Sequence, residues 1–238
     1  DVYAPELRLG FLDNIESYVN NYGGSVIAIG GKNSFALGMY KDTPLEKILP
    51  VNMELKADEV IPNMAMVFVV DNSGSMGEQV AIGLDRLSLA KRSIVGALEN
   101  IRENDEIGVL NFSDRFSWLV DIKKAKDKEA INEKVSGLQV EGGTDIRPAL
   151  AEAVKKIKKS DAAIKHIVLL TDGQDGNTDY KDVIKKINDN EITLSTVAVS
   201  SEANYSLLNN LASKGNGRAY YSEDANSLPR IFAQEIFL

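Results

Sequence analysis

The chain of 238 residues is long enough for one large domain, or for one domain plus a fragment, and its 44% hydrophobic and 26% charged content describes a globular protein. A formal net charge of −8 argues against nucleic acid as a partner, because phosphate binding needs a basic face. The absence of cysteine removes disulfides, zinc thiolate sites and thiol nucleophiles together, and no run reaches the ~18 apolar residues of a membrane helix.

In the first sixty residues, Leu12, Ile15, Tyr18, Val19 and Tyr22 recur at helical spacing, and Gly23-Gly24 supplies the stop. Ser25 to Ile29 is a short apolar stretch that predicts a strand. Thr43-Pro44 reads as the N-cap and first residue of a short helix ending before Pro50. Val51, Met53 and Leu55 alternate as a strand would. So little helix, strand and loop buries a small core alone, and residues 1–60 read as the tail of an α/β domain whose beginning is missing. Both ends of the chain, at Asp1 and at Leu238, read as cuts in a longer protein.

From about residue 64 strand and helix alternate regularly. Met66, Val67, Phe68, Val69 and Val70 form an unbroken apolar run ending on Asp71, the mark of a strand buried on both faces of a parallel sheet. A helix follows with Leu84, Leu87, Ile94, Val95, Leu98 and Ile101 on one face. Glu106–Phe112 predicts the next strand, and Arg115–Ile122 alternates like an edge or hairpin strand. Helices are expected around Lys128–Leu138, Arg147–Lys159, Tyr180–Asn190 and Tyr205–Ser213, with strands at Ile164–Thr171, Ile192–Val199 and Gly217–Tyr221. A terminal helix from Ala225 closes the series. The lysine runs at 123–128 and 155–159 interleave with apolar positions and read as solvated helix faces. Such alternation implies right-handed crossovers and a doubly wound, mostly parallel sheet with a short antiparallel edge strand.

The chemistry gathers at three strand or helix boundaries. Asp71 ends its strand where open α/β sheets bind ligands. The loop DNSGS beyond it turns Asp71, Ser73 and Ser75 toward one point, an all-oxygen set suited to a hard cation such as Mg²⁺. In the second loop, Gly142-Gly143 lets the backbone come close to a site before Thr144 and Asp145. The third is Leu169-Leu170-Thr171-Asp172-Gly173, where another apolar strand ends on an acid. If the two acid-terminated strands are neighbours, they lie about 5 Å apart and their loops share one edge.

DNSGS at 71–75, Thr144 in GGTDI and Asp172 in TDG together resemble the metal-ion-dependent adhesion site of von Willebrand factor A domains, over residues 61–238. The resemblance implies that fold, Rossmann-like. It implies Ser73, Ser75 and Thr144 as direct or switchable ligands of Mg²⁺ (or Mn²⁺ or Ca²⁺), with Asp71 and Asp172 acting directly or through water. A partner's carboxylate would complete the octahedron. A narrower likeness, carried by YVNNYGGSVIAIGGKNSFALGMYKDTPLEKILPV and LPRIFAQE, is to bacterial membrane-anchored proteins of a calcium-activated chloride channel-like group. These join a glutamine-amidotransferase-like domain to an A domain. It implies that residues 1–60 are the end of the amidotransferase-like domain and that the parent protein sits at the extracytoplasmic face of a membrane. Amidotransferase activity does not carry over, since the chain has no cysteine.

Rival chemistries lack residues. A haloacid dehalogenase-type phosphatase wants an Asp where Ser73 stands. A serine hydrolase needs a base, and the single histidine, His166, begins a strand about 20 Å from Asp172. Asp175-x-Asn177-x-Asp179 hints at a calcium loop, but Tyr180 and Lys186 replace the Gly and Glu of an EF-hand, leaving a polar loop and helix cap. Asp145 fits either support of the site or a helix cap. The expectation is a binding module, not an enzyme: a divalent cation that captures an acidic side chain of a protein partner. The alternatives are docking on a ring ATPase, as in chelatase-like assemblies, and a metal-assisted hydrolase. The terminal helix pattern Leu228, Ile231, Phe232 resembles the helix that shifts in integrin A domains when the metal gains a ligand.

Overall fold

Every residue of the strand leading to the first acid is buried, and each face of it feeds a separate core. In β1 (Met64–Asp71), Met66, Phe68 and Val70 point into one apolar layer, while Ala65, Val67 and Val69 point into the other. Strand geometry sends successive side chains to opposite faces, so an unbroken apolar run is stable only between two layers of helices. Each large side chain so buried contributes about 1.5–3 kcal/mol. The computed structural model describes residues 2–8, 10–31, 34–53, 62–81, 83–176, 179–200 and 202–221. The chain divides into two compact units, Asp1–Ile61 and Pro62–Leu238.

In the first unit, α1 (Phe11–Tyr22) ends on Gly23 in the left-handed region at φ 67°, and the Gly24 amide donates to Tyr18 O at 3.0 Å. This is the glycine stop that a helix C-terminus favours. The second helix, α2 (Pro44–Ile48), starts at the expected proline, but the Thr43 hydroxyl does not cap it. That hydroxyl donates instead to Tyr40 O at 2.7 Å. The strand expected at Ser25–Ile29 does not form. Ile27 and Ile29 are 89% and 92% exposed, and no described strand of this unit lies beside them to take their backbone groups. Val51 and Met53 are likewise irregular, and Leu55 lies outside the described residues.

In the second unit, six described strands form one sheet in the order β5-β4-β1-β6-β7-β8. They are β4 (Glu106–Phe112), β5 (Phe116–Lys124), β6 (Ile164–Thr171), β7 (Ile192–Ala198) and β8 (Asn216–Tyr221) around β1. All neighbours are parallel except β5, which runs antiparallel to β4 at the edge. One side carries α3 (Arg86–Asn100) and α4 (Lys128–Ser136), the other α5 (Ile146–Ile157), α6 (Lys181–Asp189) and α7 (Tyr205–Lys214). The α/β, mostly parallel reading therefore holds, with strand bounds close to those expected. The helix expected to include Leu84 starts two residues later, because Leu84–Asp85 (β3) pairs with Gln79–Ala81 (β2) in a separate antiparallel ribbon. Asp85 then caps α3, its Oδ1 accepting from Ser88 N at 2.6 Å. The terminal helix from Ala225 lies outside the described residues. Among those described, no helix is long and apolar enough to cross a membrane.

One glycine lets the antiparallel edge strand pack. A Cβ on Gly108 in β4 would stand 2.8 Å from Trp118 Cζ3 and 2.9 Å from Ile122 Cγ1, both on β5. We expect Gly108→Ala to cost about 1–3 kcal/mol through overpacking, read as a lower urea midpoint at unchanged slope. An unchanged midpoint would show that β5 yields freely.

Candidate metal centre

Parallel pairing of β1 and β6 brings two acids to one sheet edge. Residue 70 is level with residue 170, so Asp71 at the end of β1 and Asp172 just past β6 emerge side by side. Both carboxylates are fully buried, Ser73 nearly so, and Ser75 is half-buried. Asp71 Oδ1 accepts the Ser73 amide at 2.8 Å and Oδ2 accepts the Thr171 hydroxyl at 2.5 Å. Ser73 Oγ and Ser75 Oγ lie 3.2 Å apart. Asp172 Oδ1 accepts the Gln174 amide at 3.1 Å, and its Oδ2 accepts from Arg86 Nη1 at 3.2 Å. A carboxylate has about four lone-pair directions, so each acid retains acceptor capacity for a cation.

Backbone bonds fasten the loop carrying Thr144 to this edge. Gly74 N donates to Gly142 O at 3.0 Å, Glu141 N to Asn72 O at 2.6 Å, and Asp145 N to Ser113 O at 2.8 Å. Asn72, fully buried, ties the same loop from below: its amide nitrogen donates to Gln139 O at 2.9 Å and its Oδ1 accepts from Asn111 at 3.3 Å. Gly142 has φ 37°, and a Cβ there would meet Asp114 Oδ1 at 1.8 Å. That carboxylate accepts the Gly143 amide at 2.8 Å, a bond that holds the Asp114 carboxyl below its usual range. We expect Gly142→Ala to cost roughly 1–3 kcal/mol through left-handed strain and the lost staple. Thermal unfolding measures it, and a midpoint equal to wild type would contradict the close approach.

Burial, and then the charge of Asp172, push the Asp71 carboxyl up to about 6, against the hydrogen bonds from Ser73 and Thr171 that favour its ionised form. Among the described residues one fixed cation, Arg86, meets Asp172 and none meets Asp71, which leaves these two buried acids short of positive charge. Among the described residues, no group of three or more His, Asp and Glu side chains converges. The hydroxyls of Ser73 and Ser75, 3.2 Å apart, are further oxygen donors that a cation at this edge could use. Two carboxylates with the hydroxyls of Ser73, Ser75 and Thr144 are an all-oxygen set, which fits Mg²⁺ and excludes soft-metal chemistry.

The neighbours divide between the roles open to them. Asp145 occupies the N-cap position of α5 without capping it, and its Oδ1 is buried with no hydrogen-bond partner; burial, then Asp175, raise its carboxyl. The cap comes from Asp175, whose Oδ2 accepts the Ile146 amide at 3.2 Å and also the Tyr180 hydroxyl. Asp179 accepts the Lys181 amide at 3.1 Å at the start of α6. Asp175 and Asp179 thus act as caps, while Asn177 lies outside the described residues. His166, buried near the start of β6, bonds Thr193 on β7, far from the acids. Sequence reasoning missed Thr171, Asn72 and Arg86. The first two sit inside the quoted motifs, and a polar residue amid a buried run was the available signal.

The sequence matches the von Willebrand factor type A domain family over residues 65–234. It is 25% identical over 195 residues to the uncharacterized protein sll0103 of Synechocystis, covering 79% of this chain and 45% of that one. It is 26% identical over 189 residues to the uncharacterized protein YfbK of Escherichia coli, covering 76% of this chain and 32% of that one. The chain thus spans less than half the length of these relatives. Among solved structures, an aerotolerance-related membrane protein from Bacteroides fragilis superposes with a TM-score of 0.64 at 20% identity, over 73% of this chain and 98% of that one; this likeness shows the fold.

Proposed function

The chain belongs to the von Willebrand factor type A domain family, and from that premise we propose that it is a metal-dependent protein-binding module, not an enzyme. A divalent cation, Mg²⁺ in the first instance, is held by Asp71, Ser73, Ser75, Thr144 and Asp172, and captures a carboxylate from a partner protein. The family commonly mediates protein interaction. The observation that carries the reading is the pair of fully buried carboxylates, Asp71 and Asp172, beside two hydroxyls 3.2 Å apart at the carboxyl edge of the sheet. Two acids neutralise the cation, and neutral hydroxyls leave it electrophilic enough to take an external anion. The single histidine lies at the other end of β6, so no imidazole stands beside either serine to act as the base of a serine hydrolase. The parent protein is proposed to display this module at the extracytoplasmic face of a bacterial membrane.

Immobilised short peptides with and without one Asp or Glu test the reading. Retention of the chain should require the peptide carboxylate and Mg²⁺, and should be reversed by EDTA. Retention indifferent to EDTA, or equal on carboxylate-free peptides, would contradict it.

A further inference from the structure

The cation already beside the site is a side chain. Arg86, the first residue of α3, is only 6% exposed. Its Nη1 donates to Asp172 Oδ2 at 3.2 Å and to the Ser75 carbonyl at 3.3 Å. Its Nη2 lies 2.8 Å from Glu78 Oε2 and 2.9 Å from Glu202 Oε2. One of these contacts, Asp172, belongs to the proposed metal set, and the Ser75 carbonyl belongs to a residue whose hydroxyl does. The other two carboxylates are largely in solvent, with side chains 58% and 73% exposed. Water screens those exposed pairs. The Asp172 pair is buried, so the guanidinium acts on Asp172 more strongly than on either glutamate. Among the described residues no cation meets Asp71, whose carboxylate accepts an amide and a hydroxyl.

Resting on the reading above, we propose that Arg86 is a positioning residue that rivals the divalent cation for Asp172 and thereby sets the site's affinity. A guanidinium cannot shed its proton in a protein, so it satisfies Asp172 whether or not metal is present. Its Nη1 thus gives the buried Asp172 carboxylate a fixed counter-charge at 3.2 Å. The cost falls on the metal. A dication drawn to Asp172 would meet a fixed positive charge already bonded to Oδ2 of the same carboxylate. Charge counting gives the second consequence. Two carboxylates and one guanidinium leave the buried site with one net negative charge, so a divalent cation overshoots by one. One monoanionic carboxylate from a partner restores neutrality.

The test is calorimetric titration of the 238-residue chain with Mg²⁺ in wild type, Arg86→Gln and Arg86→Lys, with circular dichroism to establish folding. Arg86→Gln should bind Mg²⁺ about tenfold more tightly, the size expected for removing one charge several ångströms from a dication under partial screening. Arg86→Lys, which keeps the charge, should stay near wild type. Equal or weaker binding by folded Arg86→Gln, with wild type binding normally, overturns the role of Arg86 and leaves the metal site standing. Absence of Mg²⁺ binding in all three overturns the metal site and this inference with it. A measurement on the unaltered chain covers the case in which Arg86→Gln fails to fold. The Arg86 guanidinium signal in a nitrogen-resolved NMR spectrum should move with Mg²⁺ in step with the calorimetric saturation, and an unmoved signal at saturation overturns the rivalry.

Discussion

Asp71→Ala should weaken Mg²⁺ binding by roughly a hundredfold or more, beyond the loss typical of a residue that only supports a metal ligand, while the chain stays folded. Asp71 supplies one of the two anionic charges at the sheet edge, and its Oδ1 also bonds the Ser73 amide at 2.8 Å and so shapes the loop that carries the serines. Two opposed terms decide the folding result. The substitution strands the Ser73 amide and the Thr171 hydroxyl, at about 1–3 kcal/mol for an unsatisfied buried group. It also removes a carboxylate whose burial alone drives its pKa upward. The two nearly offset at neutral pH. Calorimetry with Mg²⁺, beside circular dichroism, reads both quantities. Unchanged Mg²⁺ affinity in a folded variant would remove Asp71 from the site.

The second large effect is on pH dependence. The Asp71 carboxyl, ordinarily near 3.8, is raised to about 6 by burial and by Asp172. Between those values the folded chain holds a proton that the unfolded chain has released. Its contribution to stability is therefore complete below the unfolded value of about 3.8 and is lost as pH rises through about 6, for a total of about 3 kcal/mol. Mg²⁺ works in the opposite direction, because it binds the ionised carboxylate and displaces the proton. In EDTA, stability should fall from pH 4 to pH 7; with saturating Mg²⁺ much of that fall should be recovered above pH 6. Asp71→Asn, which cannot ionise, should flatten the EDTA profile. An EDTA profile of equal slope in wild type and Asp71→Asn would place the titration elsewhere.

How much of this was legible beforehand differs by the range of the interaction. The apolar runs of β1 and β6 declared themselves because two-sided burial leaves no polar position to interrupt them, and the acids that end them were visible as the first break. The edge strand β5 was recognisable from alternation, since one of its faces is solvated. The β2–β3 ribbon was hidden: three residues against two carry no period, and Leu84 happens to fit the helical spacing of α3. Asp145 was legible as a residue near the site but not in its role, since the choice between it and Asp175 as the cap of α5 depends on where the loop after β6 returns. Arg86 was the largest omission. In the sequence it is one more charge in the first turn of an amphipathic helix. Only the fold brings residues 75, 78, 172 and 202 around it. In the first unit, the apolar stretch Ser25–Ile29 had the composition of a strand without a described neighbour to make it one.

The most direct test is a crystal of this chain grown or soaked with Mn²⁺ and recorded for anomalous scattering. The account predicts one strong peak at the carboxyl edge of β1, bonded to Ser73 Oγ and Ser75 Oγ at about 2.0–2.2 Å, with Thr144, Asp71 and Asp172 around it. An occupied Mn²⁺ site elsewhere with none at these oxygens, or no peak at saturating Mn²⁺, would contradict it.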